Sequence, residues 1–379
     1  MGKKGFLDPD NQSSPRHPDS YIDLDFKKKN SPFPQKKTWA FGENVSALAI
    51  AGSTLFCATD ETVSVERLVL SNDGTRFSEH ESIRLADFFD FEDDSESEVD
   101  LEGLAIEDGY LWLASSHSLK RSEPKAGQDV SSLASMVSWD GKRGFLARIP
   151  MVKDMSGVFE LKKAAGNRTA AMVAPGDGRD EGLRGLLSQE GLLHPFMNIP
   201  SKENGFDVEG LAVAGERLFL GLRGPVIASF ALIVELHIKE EDGILVPQKM
   251  GERRYRLHAA NLGGLGVRDL LVDEGRLLVL SGTSQKAESI QRVFAIKLDA
   301  LSAIGGVLGE DDVELLLTLP MGGWGDHAEG MTLLNGKPRR LLIAYDSPAE
   351  GRLDVSRDRL TADIFSLSAG DKTVTVSRE

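Results

Sequence analysis

The sequence predicts an all-β fold, a β-propeller of four-stranded blades. Three observations predict it. Five stretches align with one another: "NVSALAIAGSTLFCATDE" from Asn44, "DLEGLAIEDGYLWLASSHS" from Asp100, "DVEGLAVAGERLFLGLRGP" from Asp207, "GVRDLLVDEGRLLVLSGTS" from Gly266 and "HAEGMTLLNGKPRRLLIAYDSP" from His327. Each reads as strand, tight turn, strand, with Gly-containing turns of the kind that close hairpins. Each of the first, third and fourth is followed by two more strand-like runs, such as "TVSVERLVLS" and "HESIRLADFF". A four-stranded unit recurring about every 55–60 residues is a propeller blade.

The elements follow in chain order. Residues 1–38 carry eight basic and five acidic side chains, so the net charge of −15 is concentrated in the remainder. This segment reads as a flexible tail, and 21–26, "YIDLDF", as a strand that closes the ring. Residues 39–379 form a single propeller domain. The acidic run 87–102, "DFFDFEDDSESEVDLE", reads as a solvated loop, with a calcium loop as the alternative. Between equivalent residues Ser46, Glu102, Glu209, Arg268 and Glu329 the gaps are 56, 107, 59 and 61. The long gap holds a polar insertion at 119–142 and a segment at 179–197 whose leucines have helical spacing, so five blades are preferred and six remain the alternative. "TADIFSLS" from Thr361 and "TVTVS" supply the last blade's outer strands.

Composition narrows the function. Lys plus Arg number 44 against 59 acids. The resulting field opposes nucleic acid and anionic membrane as partners. Cys57 is the one cysteine, so no intrachain disulfide forms. There is no signal-peptide core, no apolar run long enough to span a bilayer, and Phe6 stands where a myristoylation motif wants Ser or Thr. These features predict a soluble cytoplasmic protein. No zinc signature, Walker loop or nucleophile elbow is present, and "LGGLGVRD" precedes a strand rather than opening a helix.

In an antiparallel hairpin the start of the first strand lies beside the end of the second. The polar residues of all five stretches therefore converge on one mouth of the central tunnel. The ring would be Ser46, Glu102, Glu209, Arg268 and Glu329. Three carboxylates in a narrow tunnel need compensation. Arg268 pairs with them and closes the ring as pure structure, or a divalent cation, Ca²⁺ before others, binds Ser46, Glu102, Glu209 and Glu329. A third resolution leaves one acid protonated for general acid–base work. Asp207, Asp269, His117 and His327 are the candidate catalytic groups, each with a plain structural alternative. Arg223, set between glycines in "GLRGP", reads as an anion contact or as the salt-bridge partner of Asp207. Trp324 in "GGWGDH" would stack on a ligand or cover the hub, and Trp112 is a core candidate. His17, His80, His194, His237 and His258 have no acid or cysteine at metal-ligand spacing.

At "DLEGLAI", "SSHS", "GFDVEGLAV", "LFLGLRGPV" and "LGGLGVRDL", in this order, the chain resembles the bacterial family known as domain of unknown function 3616, over roughly residues 40 to 370. The resemblance implies the fold class and no activity. Glu-Gly at the start of an inner strand is also similar to the metal-binding glutamate of gluconolactonase-type propellers. "D-x-E-G-L-A" resembles the inner-strand motif of esterase-like phytase propellers, and a Ser/Glu ring resembles that of five-bladed calcium-activated nucleotidases. Arg268 departs from all three, and no complete catalytic set maps across.

The function expected from these residues is a metal-assisted hydrolase of a small anionic ester, phosphate or lactone. Glu102, Glu209, Glu329 and Ser46 would hold the cation, Arg223 and Arg268 the anion, and His117 or His327 would carry protons. The alternative is a non-catalytic propeller that binds a ligand or protein at this rim, its metal structural or absent.

Overall fold

The computed structural model describes residues 14–26, 40–90, 98–174, 179–301, 305–320 and 326–367. Five antiparallel hairpins form its inner part: Val45–Ala51 with Thr54–Thr59, Leu101–Glu107 with Tyr110–Ser115, Asp207–Ala214 with Arg217–Gly224, Gly266–Asp273 with Arg276–Gly282, and His327–Leu334 with Arg340–Asp346. The turns follow from backbone sterics. Asp108-Gly109 and Glu274-Gly275 both hold positive φ at the two central positions, the type I′ geometry that matches strand twist.

Two more strands extend each hairpin outward. They are Ser64–Leu70 and Arg76–Arg84 in the first unit, Leu146–Lys153 and Ala171–Val173 in the second, Phe230–Glu241 and Arg256–Asn261 in the third, and Arg292–Lys297 and Val313–Thr318 in the fourth. The fifth unit takes Arg359–Ser366 as its third strand and Ser20–Asp25, from the other end of the chain, as its fourth. The N-terminal strand also pairs in parallel with the first unit's outer strand through Asp23↔Arg76 and Leu24↔Phe77. "TADIFSLS" is thus only one of the last unit's two outer strands, through Ser366, and "TVTVS" lies outside the described residues. So do most of the tail expected to be flexible and the centre of the acidic run. The long gap between the second and third hairpins holds the helix Gly182–Ser188, at the segment expected to be helical, and a short ribbon, Lys120–Arg121 with Val137–Ser138.

The inner strands touch in the cyclic order 45–51, 101–107, 207–214, 266–273, 327–334 and back to the first. An isolated bridge between Asn44 and Asp346 joins the last hairpin to the first at the hub. The core is divided accordingly into five apolar clusters, one in each seam between neighbouring units. Trp112 lies buried in the second seam, as its place in a strand predicts. The outer strands Ala171–Val173 and Ile244–Pro247 pair in parallel, and this seals two sheet edges against each other. No helix among the described residues is long and apolar enough to cross a membrane.

Candidate functional site at the tunnel mouth

One local distortion, repeated five times, builds the site. Every inner hairpin has a register shift that skips one residue of the first strand: Ser46, Glu102, Glu209, Arg268 or Glu329. An unpaired bulge residue kinks its strand and re-aims its side chain. These are the five residues that the repeat alignment sets in a ring. The residue after each bulge packs against the next inner strand, and there is little room for it. A Cβ on Gly103 would sit 2.6 Å from Leu211 Cβ, and one on Gly210 2.8 Å from Leu270 Cγ. In the fourth unit this position is Asp269. Its carboxylate is buried between strands and accepts hydrogen bonds from the backbone N–H groups of Leu270 and Met331, both at 2.7 Å. Burial drives its pKa well up and those two bonds oppose the rise. Asp269 is therefore held in the seam, apart from the ring.

The ring carboxylates are compensated unequally. Arg268 Nη1 lies 3.0 Å from Glu209 Oε2, and its Nη2 bonds to Glu329. Arg223 Nη1 donates to Glu209 Oε1 at 2.7 Å, while Asp207 is 4.0 Å away, so the arginine's main partner is Glu209. Burial pushes the Asp207 carboxyl well up, Glu209 adds to this, and Arg223 opposes it. Ser46 Oγ donates to the Leu101 carbonyl at 2.5 Å and ties the first unit to the second. Glu102 is left over. It is half-buried, and among the described residues no hydrogen bond or salt bridge holds it. Burial raises its pKa well above the usual range, and Asp100, Glu209, Asp60 and Asp207 add to the rise.

Two further positions recur in register with the ring. Two residues before each bulge stand Asn44, Asp100, Asp207, Gly266 and His327. Across the hairpin, at the end of the second strand or just past it, stand Asp60, Ser116, Arg223, Gly282 and Asp346. Asp60, Asp100, Asp346 and Arg143 are the rim residues that inspection of the sequence overlooked. Repeat register finds the three acids, since Asp60 and Asp346 are equivalent. Arg143 comes from the polar insertion and has no such signal. Its guanidinium is bidentate on Asp100, with both N···O distances 2.8 Å, and donates to Ser118 Oγ at 2.8 Å. Burial pulls Asp60 up to about 8, with Asp346 and Asp100 contributing. Asp346 is also raised by burial, against the pull of Arg268, Lys202 and His327.

The two histidines part company. His117 is fully buried with φ +53°, and its Nδ1 donates to the Ser115 carbonyl at 2.8 Å. Burial lowers it to about 4, so it is neutral near pH 7. His327 is one-third exposed, its Nε2 3.5 Å from Glu288 Oε1. It shares a pocket with Arg268, Thr283, Glu288, Gln291 and Asp326 in the fourth unit, where both rim positions are glycine. Trp324 lies outside the described residues. Away from the mouth, buried Glu66 meets His80 at 2.5 Å, and buried Glu235 meets His258 at 2.7 Å together with Arg217 and Arg256.

Three of the four expected calcium ligands have other partners in this structure. Glu209 and Glu329 are spent on Arg268 and Ser46 on a carbonyl, leaving Glu102. Among the described residues no three His, Cys, Asp or Glu side chains converge as a metal would require.

Comparison with known proteins gives a family. The chain is similar to a putative oxidoreductase (glucose dehydrogenase) of Thermus thermophilus, with 14% identity and a TM-score of 0.38, covering 87% of this chain and 99% of that one. It is similar to Kuenenia stuttgartiensis hydrazine synthase (8% identity, TM-score 0.33, 85% of this chain and 60% of that). It is also similar to Trypanosoma rangeli sialidase (12%, 0.34, 86% and 47%). The chain thus spans only about half to three-fifths of the length of these last two, and such values carry no argument. No curated protein matches. The sequence profile of one family, described as "Protein of unknown function (DUF3616)", matches residues 44–363, and the chain belongs to that family.

Proposed function

We propose that the chain is a five-bladed propeller that hydrolyses a small anionic ester, phosphate or lactone at this mouth by acid–base chemistry. One observation carries the reading. Glu102 is the ring carboxyl that no hydrogen bond or salt bridge holds among the described residues, and burial together with the neighbouring acids pushes its pKa well above the usual carboxylate range. A carboxylic acid so held donates a proton to a leaving oxygen. Arg268, at the wall of the adjoining pocket, supplies positive charge for the substrate anion. His327 on the same wall is accessible and moves the second proton; His117, neutral and enclosed, supports the loop instead. A divalent cation belongs to this reading only as a rival occupant, since Arg268 would first have to leave Glu209 and Glu329.

The test is turnover of chromogenic esters, phosphomonoesters and lactones by wild type, Glu102→Gln and His327→Ala. Glu102→Gln should lower kcat by about a hundredfold or more. An equal kcat in that variant, or no turnover of any substrate class, removes the hydrolase reading. The bridge of Arg268 between two glutamates favours the second reading in that event, a closed hub whose rim binds without catalysis.

A further inference from the structure

The acids of the mouth are not spread evenly. Arg143, Arg223 and Arg268 compensate Asp100, Glu209 and Glu329. On the remaining arc, formed by the last and first units, no guanidinium bonds to Asp60 or Asp346 among the described residues, and Arg268 acts on Asp346 only through its field. The two carboxylates flank the hub bridge: Asp346 pairs with Asn44, and Asp60 follows Thr59, the partner of Val45. Asp60 Oδ1 is shut off from solvent and has no hydrogen-bond partner among the described residues. Asp346 receives only the Ser347 hydroxyl, at 3.3 Å.

One cation acts on both acids of this arc, and it comes from a strap. Residues 197–206 run across the rim from the helical insertion into the third unit. Ser201 N–H donates to the Leu119 carbonyl, and Glu203 bridges to Gln285 of the fourth unit. Lys202, at the middle of the strap, is exposed, yet its ammonium stabilises the charged forms of both Asp60 and Asp346. The arc thus lies in the field of an ammonium on a flexible stem. Above the value of about 8 to which Asp60 is raised, an incoming ammonium reproduces that interaction and adds donors for the orphaned oxygen, whereas an anion meets two carboxylates and is repelled.

We infer that the Asp60–Asp346 arc is a recognition subsite for the ammonium group of a small amine, which displaces Lys202. The inference deepens the hydrolytic reading by making the substrate zwitterionic, with its anion toward Arg268 and its ammonium toward Asp60. It rests on that reading only for what happens to the ligand after binding.

The experiment is isothermal titration of the full chain with putrescine, 1,4-butanediol, succinate and calcium chloride, at a pH above the value of about 8 to which Asp60 is raised and at about 0.15 M salt, where the screening length is about 8 Å. Putrescine should bind saturably and the diol should not, and any binding of succinate, which the Arg268 wall would hold, should be indifferent to Asp60→Asn. Asp60→Asn should weaken putrescine about tenfold, the loss of one charge-assisted bond. Lys202→Ala, an exposed change that spares the fold, should tighten it. Circular dichroism confirms that Asp60→Asn is folded. Equal binding of the diol, an Asp60→Asn variant with wild-type affinity, no effect of Lys202→Ala, or calcium binding in place of putrescine would each overturn the inference. Putrescine binding without any ester turnover would leave the subsite standing and remove the hydrolase. Turnover indifferent to Asp60→Asn and Lys202→Ala would do the reverse.

Discussion

Replacing Arg268 with methionine asks whether the hub supplies its own counter-ion. The guanidinium is 4% exposed and contacts Glu209 and Glu329. Removing one partner of a buried pair costs about 3–5 kcal/mol. Arg223 still holds Glu209 at 2.7 Å in the variant, so the loss falls mainly on Glu329, whose side chain is 12% exposed. That places the cost at the lower end, about 3 kcal/mol. At about 2.1 cal/mol/K per residue, a chain of 379 residues unfolds with about 0.8 kcal/mol/K, so Tm should fall by about 4 °C. The deficit should depend on pH. Without the guanidinium, the folded-state pKa of Glu329 rises above its unfolded value. Stability then drains away as pH climbs from the unfolded pKa toward the folded one, so the deficit is smaller in mild acid than at higher pH. Calorimetric melts of wild type, Arg268→Met and the double variant Arg268→Met/Glu329→Gln check this, and the double variant should recover most of the loss at the higher pH. An Arg268→Met variant that melts within about 1 °C of wild type at both pH values would refute the reasoning. A Tm that fell on adding a chelator would then identify a bound cation as the true counter-ion.

Three other predictions concern the same architecture. Gly103→Ala places a Cβ 2.6 Å from Leu211 Cβ between two inner strands, and urea unfolding should show a loss of about 1–3 kcal/mol. Asp60 is raised from 3.8 to about 8 in the folded state, so wild type loses stability as pH rises through that window. Asp60→Asn should gain on wild type steadily across it, and parallel Tm-against-pH curves would contradict the assignment. Leu24→Ala empties a fully buried site between the first and last units and should cost about 2–5 kcal/mol, read by the same urea titration.

The hairpins were legible because the repeat is carried by local signals: alternating apolar residues, a glycine turn, and Glu-Gly at three of the five starts. The convergence of polar residues followed from hairpin geometry alone. The bulge that aims the ring residues was not legible, since it leaves no composition of its own and appears only as a skipped partner. Asp269 shows the consequence. In sequence it looks like one more rim acid, but it occupies the glycine position of its neighbours, and the register turns it into the seam. Arg143 was hidden for another reason. It lies 43 residues from Asp100, inside a segment that reads as solvated surface, and only the folded insertion brings the two within 2.8 Å. The division of labour between His117 and His327 was equally beyond reach, because it depends on how deeply each loop is packed.

The strand Ser20–Asp25 has a consequence in time. Its partner strand begins at Arg359, and Asp25 and Arg359, which form a salt bridge, are 334 residues apart. At a synthesis rate of about 5–20 residues per second, the ribosome needs about 20–70 s between making the two halves of this joint. Throughout that interval the early units stand as an open arc, with Leu24 and Phe77 lacking Leu360. The joint between first and last units thus closes only once Arg359–Ser366 has been made, and the nascent chain needs protection until then.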